Sequence, residues 1–297
     1  MQLNGIHILL TYQCTFECDH CFVWGSPWQT GTLTLEQIKV ILEQSKAAGV
    51  KSIYFEGGEP FLYYALLVHG VDMAYEMGFS VGIVTNAYWA HTLEDALVWL
   101  EPFVGKLEDL SVSCDLFHYS EEMLHQAGNA VQAAEQLDIP VGTISVAQPE
   151  ETDAPDSHGQ LESDAGVMFR GRAIEKLVPR TTKQPWKSFT ECPHEDLSDP
   201  GRVHLDPFGE LHICQGISLG NLFEKPLTEI CAEYDPDVHP VCGPLMNGGP
   251  VALVSEYNLP HESDYADACH LCYEARTALR ARLPDILTPD QMYGVLE

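Results

Sequence analysis

From Gly5 to about Val146 the chain alternates short β-branched or apolar runs with longer segments of helical periodicity. Residues 6–12 form the first predicted strand. Thr34, followed three positions on by Gln37, predicts a capping box for a helix whose Leu35, Ile38, Ile41 and Leu42 share one face and which stops at Gly49. Further strands are predicted over 51–55, 79–84, 110–113 and 140–146. Between them the pattern gives a helix ending near Met77 with Gly78 as its stop, a helix capped by Thr92, and a helix after Ser120. Strand and helix in regular alternation imply an α/β fold on a parallel sheet, and units of this kind fit an open barrel.

The regularity ends near Gln148. Residues 148–166 carry Glu150, Glu151, Asp153, Asp156, Glu162 and Asp164 with no Lys or Arg among them, which reads as a lid or linker. Beyond about Pro185 the chain is rich in Pro, Gly, His and Cys, with loops too long for barrel connections. Two domains are therefore expected, 1–184 and 185–297, the second organised around something other than a large apolar core.

Composition narrows the function. A net charge of −29 repels phosphate backbones and anionic membrane surfaces, so neither nucleic acid nor membrane is an expected partner. No window approaches the length of a membrane span, and the start, Met1-Gln2-Leu3-Asn4-Gly5, lacks the basic and apolar run of a secretion signal. A cytoplasmic protein is expected. Ten cysteines in such a chain point to metal ligation or redox chemistry rather than disulfides.

Three of them, Cys14, Cys18 and Cys21, follow the first strand at C-x3-C-x2-C spacing, at the end of a strand where parallel barrels carry their catalytic loops. Three thiolates can hold one face of a cubane iron-sulfur cluster and leave its fourth iron open to a small molecule. Here the sequence resembles the radical S-adenosylmethionine (SAM) superfamily, whose signature is C-x3-C-x-aromatic-C in the loop after the first strand of a partial barrel. The resemblance implies a partial (β/α)6 TIM-type barrel. His20 stands at the aromatic position, where its ring would pack near the adenine. Gly57-Gly58-Glu59-Pro60 after the second strand is similar to the family's GGE motif, whose backbone holds the SAM amino group. Thr85 and Asn86 end the third strand, and Ser113 and Asp115 the fourth, where the family offers polar groups to the ribose and the methionine carboxylate; such residues are also ordinary helix N-caps. Arg172, in Gly171-Arg172-Ala173, resembles the family's GRA segment, and a surface arginine would read the same way. Cys114 alternates away from Ser113 and reads as a small apolar residue, while His118 could enter a substrate pocket or cap a loop.

Cys192, Cys214, Cys269 and Cys272 make a second set, with Cys214 in a predicted hairpin of 203–205 against 210–213. This resembles a Twitch-type domain, a shortened SPASM domain, and Gly220-Asn221-Leu222-Phe223 looks like its turn after the hairpin. The resemblance implies a second, auxiliary 4Fe-4S cluster; a structural zinc site is the other reading of four thiolates. Cys231 and Cys242 fit neither set and read as buried or loop thiols, and His270 could face the metal or water.

The resemblance implies an enzyme that takes an electron from a flavodoxin- or ferredoxin-type donor, cleaves SAM reductively and abstracts a hydrogen atom. An auxiliary cluster favours an oxidative outcome on a small-molecule or sugar-like substrate. A peptide-modifying maturase is the alternative, although the chain begins directly at the barrel without a recognisable leader-binding domain. A non-catalytic metal-binding protein would leave the GGEP segment and the polar strand ends unexplained.

Overall fold

The computed structural model describes residues 1–118, 125–149 and 166–295, so the acidic segment from Glu150 to Asp164 and the start of the helix after Ser120 lie outside the described residues. The first segment follows the expected alternation: β1 (Gly5–Thr11), α1 (Leu35–Ala47), β2 (Ser52–Gly57), α2 (Tyr64–Glu76), β3 (Ser80–Thr85), α3 (Leu93–Leu100), β4 (Asp109–Ser113), α4 (His125–Gln136) and β5 (Val141–Ile144). Local signals set these bounds. Thr34 and Gln37 form the reciprocal capping box on α1, and the Thr92 side chain caps α3 by accepting from the Asp95 N–H.

The second segment contains α5 (Ala173–Lys176), β6 (Gln184–Pro185), β7 (Arg202–Leu205), β8 (Glu210–Cys214), β9 (Ile217–Asn221), α6 (Leu227–Glu233), α7 (Cys242–Met246), α8 (Gly249–Tyr257), β10 (Asp264–Tyr265) and α9 (Ala268–Leu279). β7 and β8 form the expected antiparallel hairpin, and β7 also pairs in parallel with β1, with His7 opposite His204 and Ile8 opposite Leu205. Among the described residues one eight-stranded sheet results, in the order β5-β4-β3-β2-β1-β7-β8-β9, and it does not close. The sixth parallel strand is thus supplied from beyond residue 184. Asp206 secures this join: it accepts two backbone N–H bonds in the β7–β8 turn and also the Tyr12 hydroxyl at 2.7 Å.

Two apolar cores flank the sheet. Ile6, Ile8 and Leu10 of β1 point to the first, packed on Ile38, Ile41 and Leu42 of α1; Leu9 and Tyr12 join Ile213, Leu253, Leu271 and Leu279 in the second. Strand alternation makes β1 the wall between them. Cys114 packs against the first core as a small apolar group.

Candidate functional site

The loop leaving β1 turns back under Gly31, to which the Thr11 hydroxyl donates at 2.9 Å. Cys14 and Cys18 are buried on this loop and Cys21 half-buried. Backbone N–H groups of Phe16 and Gly25 donate to the sulfurs of Cys14 and Cys21 at 3.4 and 3.2 Å, and Asn86 Nδ2 reaches the Cys14 sulfur at 3.5 Å. Donors aimed at sulfur favour thiolates, whereas burial pushes the Cys14 thiol up to about 12 and Cys18 higher still. Deprotonation here at neutral pH needs a metal cation, so the loop is chemically suited to a thiolate-bound metal and poorly suited to free thiols.

Arg172 holds the loop in shape. Its guanidinium is buried and donates to the carbonyls of Cys18 and Gly25, both at 2.8 Å, while its own backbone N–H donates to the Cys21 carbonyl at 3.0 Å. These bonds turn the side chain into the loop backbone rather than toward an open cofactor pocket.

The GGEP segment lies against the same loop. Gly57 adopts φ of +140°, and a Cβ on Gly58 would stand 2.1 Å from the Gln13 carbonyl oxygen, so only glycine lets the two chains approach. Glu59 caps the short 3-10 helix Pro60–Tyr63 and is fully buried; its carboxylate accepts from the Phe61 N–H, the Thr85 hydroxyl and the Asn86 N–H at 3.0, 2.9 and 2.8 Å. Thr85 faces this bracket and the Trp89 indole N–H rather than the cysteines. Asn86 turns the other way, toward Cys14 and the Thr15 hydroxyl. Ser113 ends β4 half-buried opposite Ile144.

Asp115 is buried near Cys18 and accepts from the Phe117 N–H and from His118 Nδ1, at 2.9 and 2.8 Å. His20 lies within 4.8 Å of both Asp115 and His118, packs on the Phe117 ring, and keeps a buried Nδ1 with no hydrogen-bond partner. Burial, reinforced by His118, pushes the His20 imidazolium down to about 4, so the ring is neutral at pH 7. Cys14, Cys18, Cys21, the GGEP loop, Asn86, Asp115 and His20 are therefore brought to one end of the sheet, the carboxyl end of its parallel strands.

Cys192, Cys214, Cys269 and Cys272 line a second, mostly apolar pocket. Among the described residues, no three of these sulfurs lie within 4.8 Å of one another. In a tetrahedral four-thiolate zinc site, with bonds near 2.3 Å, every sulfur pair would be about 3.8 Å apart. Two buried arginines escape a search for cysteine spacing. Arg170 donates from Nη1 to the Cys214 sulfur at 3.2 Å, Arg276 lines the same pocket as Cys272 and donates to the Gln215 carbonyl, and the Nε of each is buried without a partner. The sequence signal for Arg276 is its place one helical turn beyond Cys272 on α9. His270 faces away from these sulfurs: Nδ1 accepts from the Ala266 N–H and Nε2 meets Glu274 at 3.1 Å. Cys242 is fully buried in the second core, and Cys231 packs against the first.

Residues 8–156 match the family described as the Radical SAM superfamily. The chain belongs to the radical SAM superfamily. It is therefore an enzyme of a class that uses SAM and a 4Fe-4S cluster. This superfamily member is 30% identical over 118 residues to an S-adenosylmethionine-dependent nucleotide dehydratase of Fibrobacter sp. (strain UWH6), covering 37% of this chain and 33% of that protein. It is 34% identical over 113 residues to another from Selenomonas ruminantium, 38% of whose length is covered. The chain thus spans 33 and 38% of the lengths of these two dehydratases. It aligns at 22% identity over 264 residues with the putative peptide biosynthesis protein YydG of Bacillus subtilis (strain 168), covering 88% of this chain and 76% of YydG. Among solved structures, the SAM-bound anSMEcpe is 12% identical, with TM-score 0.48, covering 97% of this chain and 99% of that one. Among the described residues, no helix is long and apolar enough to cross a membrane.

Proposed function

We propose that this radical SAM enzyme cleaves SAM reductively, abstracts a hydrogen atom from its substrate and completes an oxidative reaction with the help of a second, auxiliary 4Fe-4S cluster. The observation that carries this reading is the presence of two separate cysteine sets, each buried among groups that favour an anionic metal-thiolate centre. When bound, the first cluster supplies the electron that converts SAM to methionine and a 5′-deoxyadenosyl radical. Cys14, Cys18 and Cys21 are its ligands in this reading. Gly57, Gly58, Glu59 and Pro60 shape the wall against which SAM lies, Asn86, Ser113 and Asp115 offer polar groups, and His20 presents a neutral ring to the adenine. Thr85 and Arg172 act as positioning residues, the one through Glu59, the other through the loop carbonyls.

Cys192, Cys214, Cys269 and Cys272 hold the auxiliary cluster, and Arg170 and Arg276 offset its negative charge. A structural zinc site is the other reading of these four thiolates. We infer a core domain over 1–184 and an auxiliary-cluster domain over 185–297, the latter lending β7 to the core sheet. Ten cysteines, all unpaired, suit a cytoplasmic protein fed by a flavodoxin- or ferredoxin-type donor.

Two substrate classes fit this chemistry, a small-molecule or sugar-like alcohol and a ribosomal peptide. The alignment with YydG covers 88% of this chain, whereas the dehydratase alignments cover 37% of it, and this favours the peptide. The test is anaerobic incubation of reconstituted protein with SAM, a reductant and candidate peptides or alcohols, followed by mass spectrometry. The expected result is 5′-deoxyadenosine from the parent and none from Cys18→Ala; equal yields from both proteins would sink the assignment of ligands.

A further inference from the structure

Three side chains outside both cysteine sets converge on the face of the sheet opposite α1. Ile6, Ile8 and Leu10 of β1, Phe55 of β2, and Val203 and Leu205 of β7 all point into the helix-side core. Strand alternation therefore sends His7, Glu56 and His204 to the other face. The parallel pairing of β1 with β7 sets His7 directly opposite His204, and β1 pairs with β2 so that Glu56 lies opposite Leu9. One ligand atom from each of the three residues lies within 4.8 Å of the other two. His7 Nδ1 is 3.2 Å from Glu56 Oε2 and His204 Nε2 is 3.1 Å from Glu56 Oε1, with the side chains 12, 12 and 15% exposed.

Hydrogen bonding accounts for one of these approaches and not for the other. The His7 contact has hydrogen-bond geometry. At the second oxygen, Glu56 Oε1 is buried and receives no hydrogen bond, although His204 Nε2 stands so near. The imidazole nitrogen is close to the carboxylate without being aimed at it. Ligands that share one cation behave in this way: nitrogen and oxygen atoms about 2.1 Å from a metal lie about 3.0–3.4 Å from each other and point at the ion, not at one another. Two imidazoles and one carboxylate are a donor set for zinc, iron(II) and related ions.

We propose that His7, Glu56 and His204 bind a divalent transition-metal ion, distinct from both cysteine sets, with coordination positions left over for water or a substrate oxygen. The surroundings fix the ring planes. Tyr54 stacks on His7 at 4.7 Å with 10° between planes, and Phe22, the neighbour of Cys21, meets His204 edge-on at 5.7 Å. Phe22 also links this site to the cluster loop.

The test is equilibrium dialysis of the anaerobically reconstituted full chain against cobalt(II), with cobalt and iron per chain measured together. The parent is expected to take up about one cobalt with the weak visible bands of a nitrogen–oxygen site and no intense sulfur-to-cobalt absorption. Glu56→Ala and His204→Ala should each lower that uptake at least tenfold at equal free cobalt, with iron content unchanged. A parent that binds no cobalt, or binds it with sulfur-type absorption, overturns the proposal, as do variants that retain both metals in full. Should Glu56→Ala lose its iron and its fold, His7→Ala is read in its place, and the parent result stands independently of every variant.

Discussion

Glu59 Oε2 accepts the backbone N–H of Asn86 at 2.8 Å, tying the loop after β2 to the end of β3 and setting the side from which Asn86 reaches Cys14. This carboxylate is fully buried, and burial raises its carboxyl to about 7 despite three hydrogen bonds that favour the charged form. The folded protein therefore binds this proton more tightly than the unfolded chain, whose carboxyl titrates near its ordinary value of 4.5. Stability contributed here falls as pH rises from about 4.5 to about 7 and is constant above that range.

Glu59→Gln removes that titration. The stability of the parent relative to the variant should decline across this window by about 3 kcal/mol, since each pH unit within it costs about 1.4 kcal/mol. Denaturant midpoints of the two proteins at pH 5 and pH 8 measure it. A difference between them that does not change with pH would remove the burial argument.

Gly58→Ala should cost about 3 kcal/mol and abolish SAM cleavage, because the added carbon would meet the Gln13 backbone oxygen at 2.1 Å and neither strand end can yield cheaply. Gly128→Ala is the matched control. Gly128 lies in α4 with nothing within 4 Å of the added carbon, so alanine there should raise stability by about 0.5–1 kcal/mol and leave 5′-deoxyadenosine formation unchanged. Thermal midpoints and product yield for the pair decide whether close approach matters at Gly58.

Arg172→Lys keeps the charge but cannot place two nitrogens on the carbonyls of Cys18 and Gly25 together. A loss of about 2 kcal/mol is expected, with slower 5′-deoxyadenosine formation and a weaker hold on iron under chelator. Chelator-release kinetics should separate this from a surface role, in which lysine would behave like the parent.

Removing Arg170 tests the second cysteine set. Arg170→Met takes the buried positive charge from the Cys214 sulfur without changing a ligand. The variant should lose about four irons per chain while still cleaving SAM in the absence of substrate. A full iron content with unaltered product formation would show that the guanidinium serves packing alone.

Local signals made much of this protein readable in advance. Thr34 and Gln37 announce α1 because a capping box involves four consecutive residues, and Cys14, Cys18 and Cys21 sit on one short loop, so their spacing is their geometry. The GGEP segment belongs with them, since a backbone approach that only glycine permits is written in the residue itself. Alternating apolar runs gave the parallel sheet. The hairpin of β7 and β8 was legible for the same reason, being closed by a four-residue turn.

What the tertiary structure decided depends on contacts distant along the chain. Nothing near Arg202–Leu205 says that this strand adds to β1, because a parallel pairing across nearly two hundred residues leaves no periodicity in either partner. The meeting of His7, Glu56 and His204 follows from that pairing together with the pairing of β1 with β2, as each is an ordinary polar position on its own strand. The side chains of Thr85 and Asn86, adjacent in sequence, turn to opposite sides because the strand alternates and Glu59 claims one of them. Arg170 and Arg276 likewise become partners of the cysteines only when the Arg170 loop and α9 close on the same pocket, for burial is a property of the folded chain and charge is the only part of it written in the sequence.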